Sequence, residues 1–176
     1  MPEDQLLFEG RKFAVRRRTV QAADGRARPY EFVAHPGAAV ILPLLSDGQI
    51  VLIANYRVAI ERELLELPAG TLDPPEPPLE CARRELAEET GYQAGRLEPL
   101  LSFYSSPGIC NELLHAFMAS DLHAGPSHLE AGEQICLVPM AYDAALAALR
   151  DGRIVDVKTI ATLLYYDRFR RGQGLR

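Results

Sequence analysis

Between Asp73 and Pro78 the chain reads Asp-Pro-Pro-Glu-Pro-Pro, and no other stretch leaves it so few conformations. Each proline removes an amide donor and restricts the residue before it, so this segment is excluded from a helix interior. Pro78 nevertheless suits a first helical turn, where the missing amide would have had no intrahelical partner. Downstream, Leu79, Ala82, Leu86 and Ala87 recur at helical spacing, and Gly91 follows Thr90 where a left-handed residue would close the helix. The pattern predicts a helix from Pro78 to Thr90.

Apolar runs bounded by turn residues supply the other elements. Arg11 to Val20 and Arg28 to Ala34 read as strands joined at Ala23-Asp24-Gly25, giving an N-terminal hairpin. Ala39 to Leu45 and Ile50 to Asn55 flank Ser46-Asp47-Gly48, a hairpin signal because Asp-Gly tolerates the positive φ of a tight turn. A short strand, Leu64 to Leu67, stops at Pro68-Ala69-Gly70. Leu97 to Tyr104, Leu113 to Ala119 and Gln134 to Val138 complete the strands, with a polar connection from Ser120 to Glu133. Two closing helices are expected over Tyr142 to Arg150 and Asp156 to Arg170.

The length of 176 residues fits one domain with a sizeable core, and a formal charge of -5 argues against general nucleic-acid affinity, which needs a basic surface. Arg16-Arg17-Arg18 does not change this, since three arginines on one strand alternate faces and read as a solvated edge strand. Cys81, Cys110 and Cys136 are widely spaced and odd in number, which points to a reducing compartment rather than a disulfide framework. The acidic N-terminus does not resemble a secretory signal, and the longest apolar run, about Ala38 to Leu45, is too short to cross a bilayer. A cytoplasmic protein with no membrane association is expected.

Glu85, Glu88 and Glu89 stand at i, i+3 and i+4 on the predicted helix and share one face. Like charges at that spacing cost about 0.2 to 0.5 kcal/mol per pair, and the helix C-terminus disfavours anions further. A divalent cation would give the cluster a purpose. Mg²⁺ fits best, with Mn²⁺ as a substitute, because it takes oxygen ligands and completes its shell with waters and phosphates. His35, His115, His123 and His128 show no zinc-site spacing. The competing reading of the carboxylates is a solvated face with pairs such as Glu80 to Arg83 or Arg84.

The surrounding residues favour the metal. Gly70, Glu76, Arg84, Glu85, Leu86, Glu88, Glu89 and Gly91 resemble the Nudix box: Gly, five residues, Glu, seven residues, then Arg-Glu-aliphatic-x-Glu-Glu-x-Gly-aliphatic. Only Tyr92 departs, at a packing position. The likeness runs from about His35 onward and is closest to the ADP-ribose pyrophosphatase branch. Asn55-Tyr56-Arg57, Leu65-Glu66-Leu67-Pro68-Ala69-Gly70, Ser106-Pro107-Gly108 and Glu133 carry it, with Pro107 sixteen residues past Gly91 (107 - 91 = 16).

The resemblance implies an α/β/α sandwich around a mixed sheet over residues 35–176, with residues 1–34 as a hairpin extension that pairs two subunits into a homodimer. It implies that Glu85, Glu89 and the Ala69 carbonyl bind Mg²⁺, that Glu88 binds a further ion or a ligating water, and that Arg84 orients the carboxylates. Arg57 would clamp the substrate diphosphate. Glu133 is the candidate general base, with Glu130 and Glu112 in reserve, and Tyr30, Phe32, Tyr56 and Tyr104 are available to stack on a base. Tyr30 and Glu112 are further candidate substrate contacts. Glu76 would anchor the proline-rich loop. The expected reaction is hydrolysis of ADP-ribose to AMP and ribose 5-phosphate. Alternatives are another substrate (NADH, FAD, GDP-mannose or a dinucleoside polyphosphate) or a non-catalytic nucleotide sensor, which the intact box glutamates oppose.

Overall fold

In the computed structural model, which describes residues 4–126 and 135–172, the order of elements is β1 (Gln5–Glu9), β2 (Ala14–Gln21), β3 (Ala27–Ala34), β4 (Ala38–Pro43), β5 (Gln49–Arg57), β6 (Arg62–Glu66), β7 (Ala69–Thr71), α1 (Pro78–Thr90), β8 (Tyr92–Tyr104), β9 (Leu113–Ala124), β10 (Ile135–Ala141), α2 (Tyr142–Arg150) and α3 (Val157–Phe169). The α/β/α sandwich around a mixed sheet expected from the sequence is the architecture found. The central sheet runs β7-β4-β9-β8, with β4 and β9 parallel and the other pairs antiparallel. A second sheet, β10-β5-β6, lies beside it, and β1-β2-β3 form a third.

Strand β4 explains the layering, because it is buried along its whole length and its side chains alternate between two cores. Ala39 and Ile41 join Phe117 and Ala119 of β9 against Cys81, Ala82 and Leu86 of α1. Ala38, Val40 and Leu42 face the other way with Leu114, Ala116 and Met118, meeting Ile50 and Leu52 of β5 and Tyr142, Ala145, Ala148 and Leu163 of α2 and α3. The period of two thus places α1 on one side and α2 with α3 on the other. The Tyr142 hydroxyl donates to the Leu163 carbonyl at 2.6 Å, tying α2 to α3.

Helix α1 has the predicted bounds. Pro77 and Pro78 set its first turn, and Gly91 ends it at φ +72 with its amide donating to the Ala87 carbonyl at 2.9 Å. Other elements differ from expectation. Strand β1 extends the expected hairpin to a three-stranded sheet, and β2 starts at Ala14 because Gly10 to Phe13 closes a turn by a 2.9 Å bond. Its arginines therefore lie on the middle strand, not an edge. Arg17 pairs with Glu31, and Arg18 pairs with Asp4 while stacking over Phe32.

Strand β7 crosses the Ala69-Gly70 segment, where turn composition predicts a stop, because β4 offers it an antiparallel partner, Ala38 opposite Thr71. Strands β8 and β9 run on together to Tyr92 opposite Ala124, so Ser120 to Ala124 is strand where polar composition had suggested a connection. Both cases show pairing overriding local propensity.

Leu86 is fully buried beneath α1. Leu86→Ala is expected to lower unfolding free energy by about 2 to 5 kcal/mol, read from urea denaturation, since it leaves a cavity between α1 and the sheet.

Candidate active site

The turn from β7 and the face of α1 close on each other through a missing side chain. A Cβ on Gly70 would lie 1.8 Å from the Glu85 carboxylate carbon, so only glycine lets that carboxylate rest on the backbone. One turn later, Glu89 accepts from the Ala69 amide at 2.9 Å. These two contacts bring the Ala69-Gly70 backbone beside the acidic face of α1.

Arg84 sits among the acids as their counter-charge. Its Nε and one terminal nitrogen meet both Glu76 oxygens at 2.9 and 3.0 Å, and its other terminal nitrogen meets Glu85 at 2.6 Å and Glu88 at 2.9 Å. It also donates to the Thr71 carbonyl at 3.2 Å. The planar fork suits this arrangement and an ammonium would not. Hydrogen bonding to Arg84 holds the Glu76 carboxyl at about 2, well below its ordinary value. Glu76 also accepts from the Asp73 amide at 3.2 Å, so it ties the proline-rich loop to α1. Beneath them, burial pushes the Cys81 thiol up to about 12, which leaves it a neutral packing group.

A cleft of about 1170 Å³ opens over this acidic face. Its lining includes Ala69, Arg84, Glu85, Glu88 and Glu89 together with Arg57 and Glu112, so seven of the sequence-selected residues share one space. Tyr30 does not line it. It is 58% exposed on β3, opposite Arg18, and this chain's fold does not bring it to the cleft. Glu133, with Glu130, lies outside the described residues. Glu112 faces His35 at 3.5 Å, and the His35 amide donates to Asn111 at 2.8 Å.

Three cleft residues carried no role in the sequence reading. Glu66, only 1% exposed, takes Arg57 on both oxygens and Lys158 on one, and Lys158 also reaches Asp156 at 2.9 Å. Burial pushes the Glu66 carboxyl up, but the bonds from Arg57 and Lys158 outweigh that and hold it below its ordinary value. Glu66 lies within the Leu65 to Gly70 motif, and its acidic character among leucines is the one local signal. Lys158 and Asp156 are 92 and 90 residues further on (158 - 66 = 92; 156 - 66 = 90), and nothing local marked them.

Among the described residues no three acid, histidine or cysteine side chains converge on one metal-sized point, and Arg84 bonds to both Glu85 and Glu88. The donor set still fits a hard cation. Glu85 and Glu89 lie against the Ala69-Gly70 backbone beside Glu88, offering oxygen donors at the cleft wall.

Gly70→Ala should displace Glu85 without disturbing the core, lowering turnover on the order of a hundredfold while the melting temperature changes little. A variant of full activity would contradict the close packing seen here. The Glu76–Arg84 pair should stabilise the fold fully above about pH 4.5 and progressively less as pH falls toward about 2, since the folded-state value is the lower one. The gap in melting temperature between the wild type and Glu76→Gln should therefore narrow on acidification.

Residues 34–160 match the NUDIX domain family. The chain is 34% identical to the methanol dehydrogenase activator of Bacillus methanolicus over 92% of its length and 88% of the relative. It is 33% identical to the ADP-ribose pyrophosphatase of Bacillus subtilis, again over 92% and 88%, and 37% identical to the GDP-mannose pyrophosphatase of Yersinia enterocolitica over 73% and 72%. A solved ADP compounds hydrolase superposes with a TM-score of 0.83 at 25% identity, covering 99% of this chain and 97% of that one. With the family's glycine, arginine and glutamates assembled on one wall of the cleft, the chain belongs to the NUDIX family and is a hydrolase of that family.

Proposed function

We propose that the protein is an Mg²⁺-dependent pyrophosphohydrolase of nucleoside diphosphate compounds, and that its substrate is ADP-ribose, released as AMP and ribose 5-phosphate. The observation that carries this reading is one cleft with oxygen donors on one wall and the Arg57 guanidinium also in its lining. The likeness to the Bacillus subtilis pyrophosphatase over most of both chains supports the choice of substrate. The Yersinia relative favours GDP-mannose as a second reading. The name of the Bacillus methanolicus relative describes an effect on another enzyme and does not discriminate between them.

Glu85, Glu89 and the Ala69 carbonyl would hold Mg²⁺, and Glu88 a further ion or a ligating water. Bound there, the metal supplies neutralisation of phosphate oxygens and a lowered pKa for the attacking water. Arg84 orients the carboxylates by bonding to both Glu85 and Glu88. Arg57 draws the diphosphate across the cleft. Glu133 takes the proton from the attacking water in this scheme, with Glu112 at the cleft wall as the alternative base.

Residues 1–34 form the pairing element of a homodimer in the same proposal. Leu6, Leu7, Phe8 and Tyr30 are exposed on a three-stranded sheet and Phe13 on the turn between its first two strands, where apolar surface gains by being covered. A second subunit is also what could bring Tyr30 near a cleft that its own chain does not let it reach.

Glu89→Gln is expected to lower kcat on the order of a thousandfold or more while the fold persists. Products from ADP-ribose, GDP-mannose, NADH, FAD and diadenosine polyphosphates with Mg²⁺, separated by chromatography, test the substrate. Preference for GDP-mannose would replace ADP-ribose, and cleavage of none would sink the reading. Light scattering should give twice the 19.5 kDa chain mass, and a monomer would remove the pairing role.

A further inference from the structure

The cleft contains a second charged assembly that the box chemistry does not use. Arg57 ends β5, Glu66 ends β6, and Asp156 and Lys158 open α3, yet their charges alternate in one connected run: Arg57 to Glu66, Glu66 to Lys158, Lys158 to Asp156. Both Glu66 oxygens accept from Arg57, through Nε and a terminal nitrogen, so the guanidinium plane is set by the carboxylate. Glu66 in turn is almost wholly buried and Lys158 nearly so.

Two further bonds fix the base of the assembly. Asp156 caps α3, accepting from the Thr159 amide at 3.0 Å and its hydroxyl at 2.6 Å. The Thr159 hydroxyl accepts from the Leu67 amide at 2.8 Å, which pins the backbone beside Glu66 to the same helix end. All four charged residues line the cleft.

Buried ion pairs add little stability compared with well-packed apolar side chains of equal volume, so the buried Glu66–Lys158 pair, bonded to the part-exposed Arg57, calls for a purpose other than strength. We infer that Lys158 is a positioning residue for substrate binding: it locks the Glu66 carboxylate, which aims the Arg57 guanidinium at the diphosphate. The inference rests on the proposed role of Arg57 but not on which nucleoside compound is cleaved. Without Lys158, Glu66 keeps Arg57 as its partner but loses the bond that fixes its rotamer. Arg57 then samples orientations that miss the phosphates, and the loss falls on binding rather than on the chemical step.

The test is a double-mutant cycle with Arg57→Ala, Lys158→Met and the combined variant. Each is assayed for kcat and KM on the compound that the wild type cleaves. Each is also titrated by calorimetry with α,β-methylene ADP-ribose and with inorganic pyrophosphate in the presence of Mg²⁺. Lys158→Met should raise KM and weaken analogue binding roughly tenfold, with kcat nearly unchanged and with recovery in Lys158→Arg. In the Arg57→Ala background the same change should have almost no effect. An equal loss in both backgrounds, or a fall in kcat alone, would overturn the inference. A melting temperature lowered without any change in KM would do the same, leaving a structural tether. Coupling seen with pyrophosphate but no binding of the ADP-ribose analogue would defeat the substrate reading and leave Lys158's role standing. Failure of the wild type to bind either probe would end both.

Discussion

Three carboxylates on one face of a helix repel each other, and the way this chain contains that repulsion shapes everything around the cleft. Arg84, from the same face, bonds to Glu85 and Glu88 while holding Glu76 in a bidentate grip. The grip reaches back across the proline-rich loop, so a helix that would be unfavourable alone becomes the fixed wall of a site. Gly70 completes the arrangement by having no side chain where Glu85 must lie. Charge, loop and backbone are therefore a single construction, and altering one disturbs the other two.

The sheet decides where that wall stands. Because β4 and β9 are buried on both faces, α1 is pressed to one side while α2 and α3 cover the other. Their edges meet where β7 leaves β4 and where α3 begins, and the cleft opens there. The acidic wall comes from α1. The facing charges come from the ends of β5 and β6 and the start of α3, elements far apart in sequence that the layered packing brings within hydrogen-bonding distance.

Local patterns were legible wherever they depended on neighbours in the chain. Helix α1 had its ends marked by Pro78 and Gly91, because proline and glycine act through their own dihedrals. Elements set by pairing were less legible. Strand β7 exists because β4 offers it a partner, and β9 continues past Ser120 because β8 runs alongside. Arg16 to Arg18 read as an edge until β1 supplied a further strand.

By itself the amino-acid order determined the acidic helix face, its glycine and proline boundaries and the family to which they point, since spacings of three and four residues and the behaviour of single residues are properties of the local chain. Only the tertiary structure decided that Glu66, Asp156 and Lys158 belong to the cleft and that Tyr30 stands away from it. The reason is physical: Glu66 and Lys158 are 92 residues apart, and their contact depends on α3 docking against the β6–β7 junction, which no periodicity in either segment encodes.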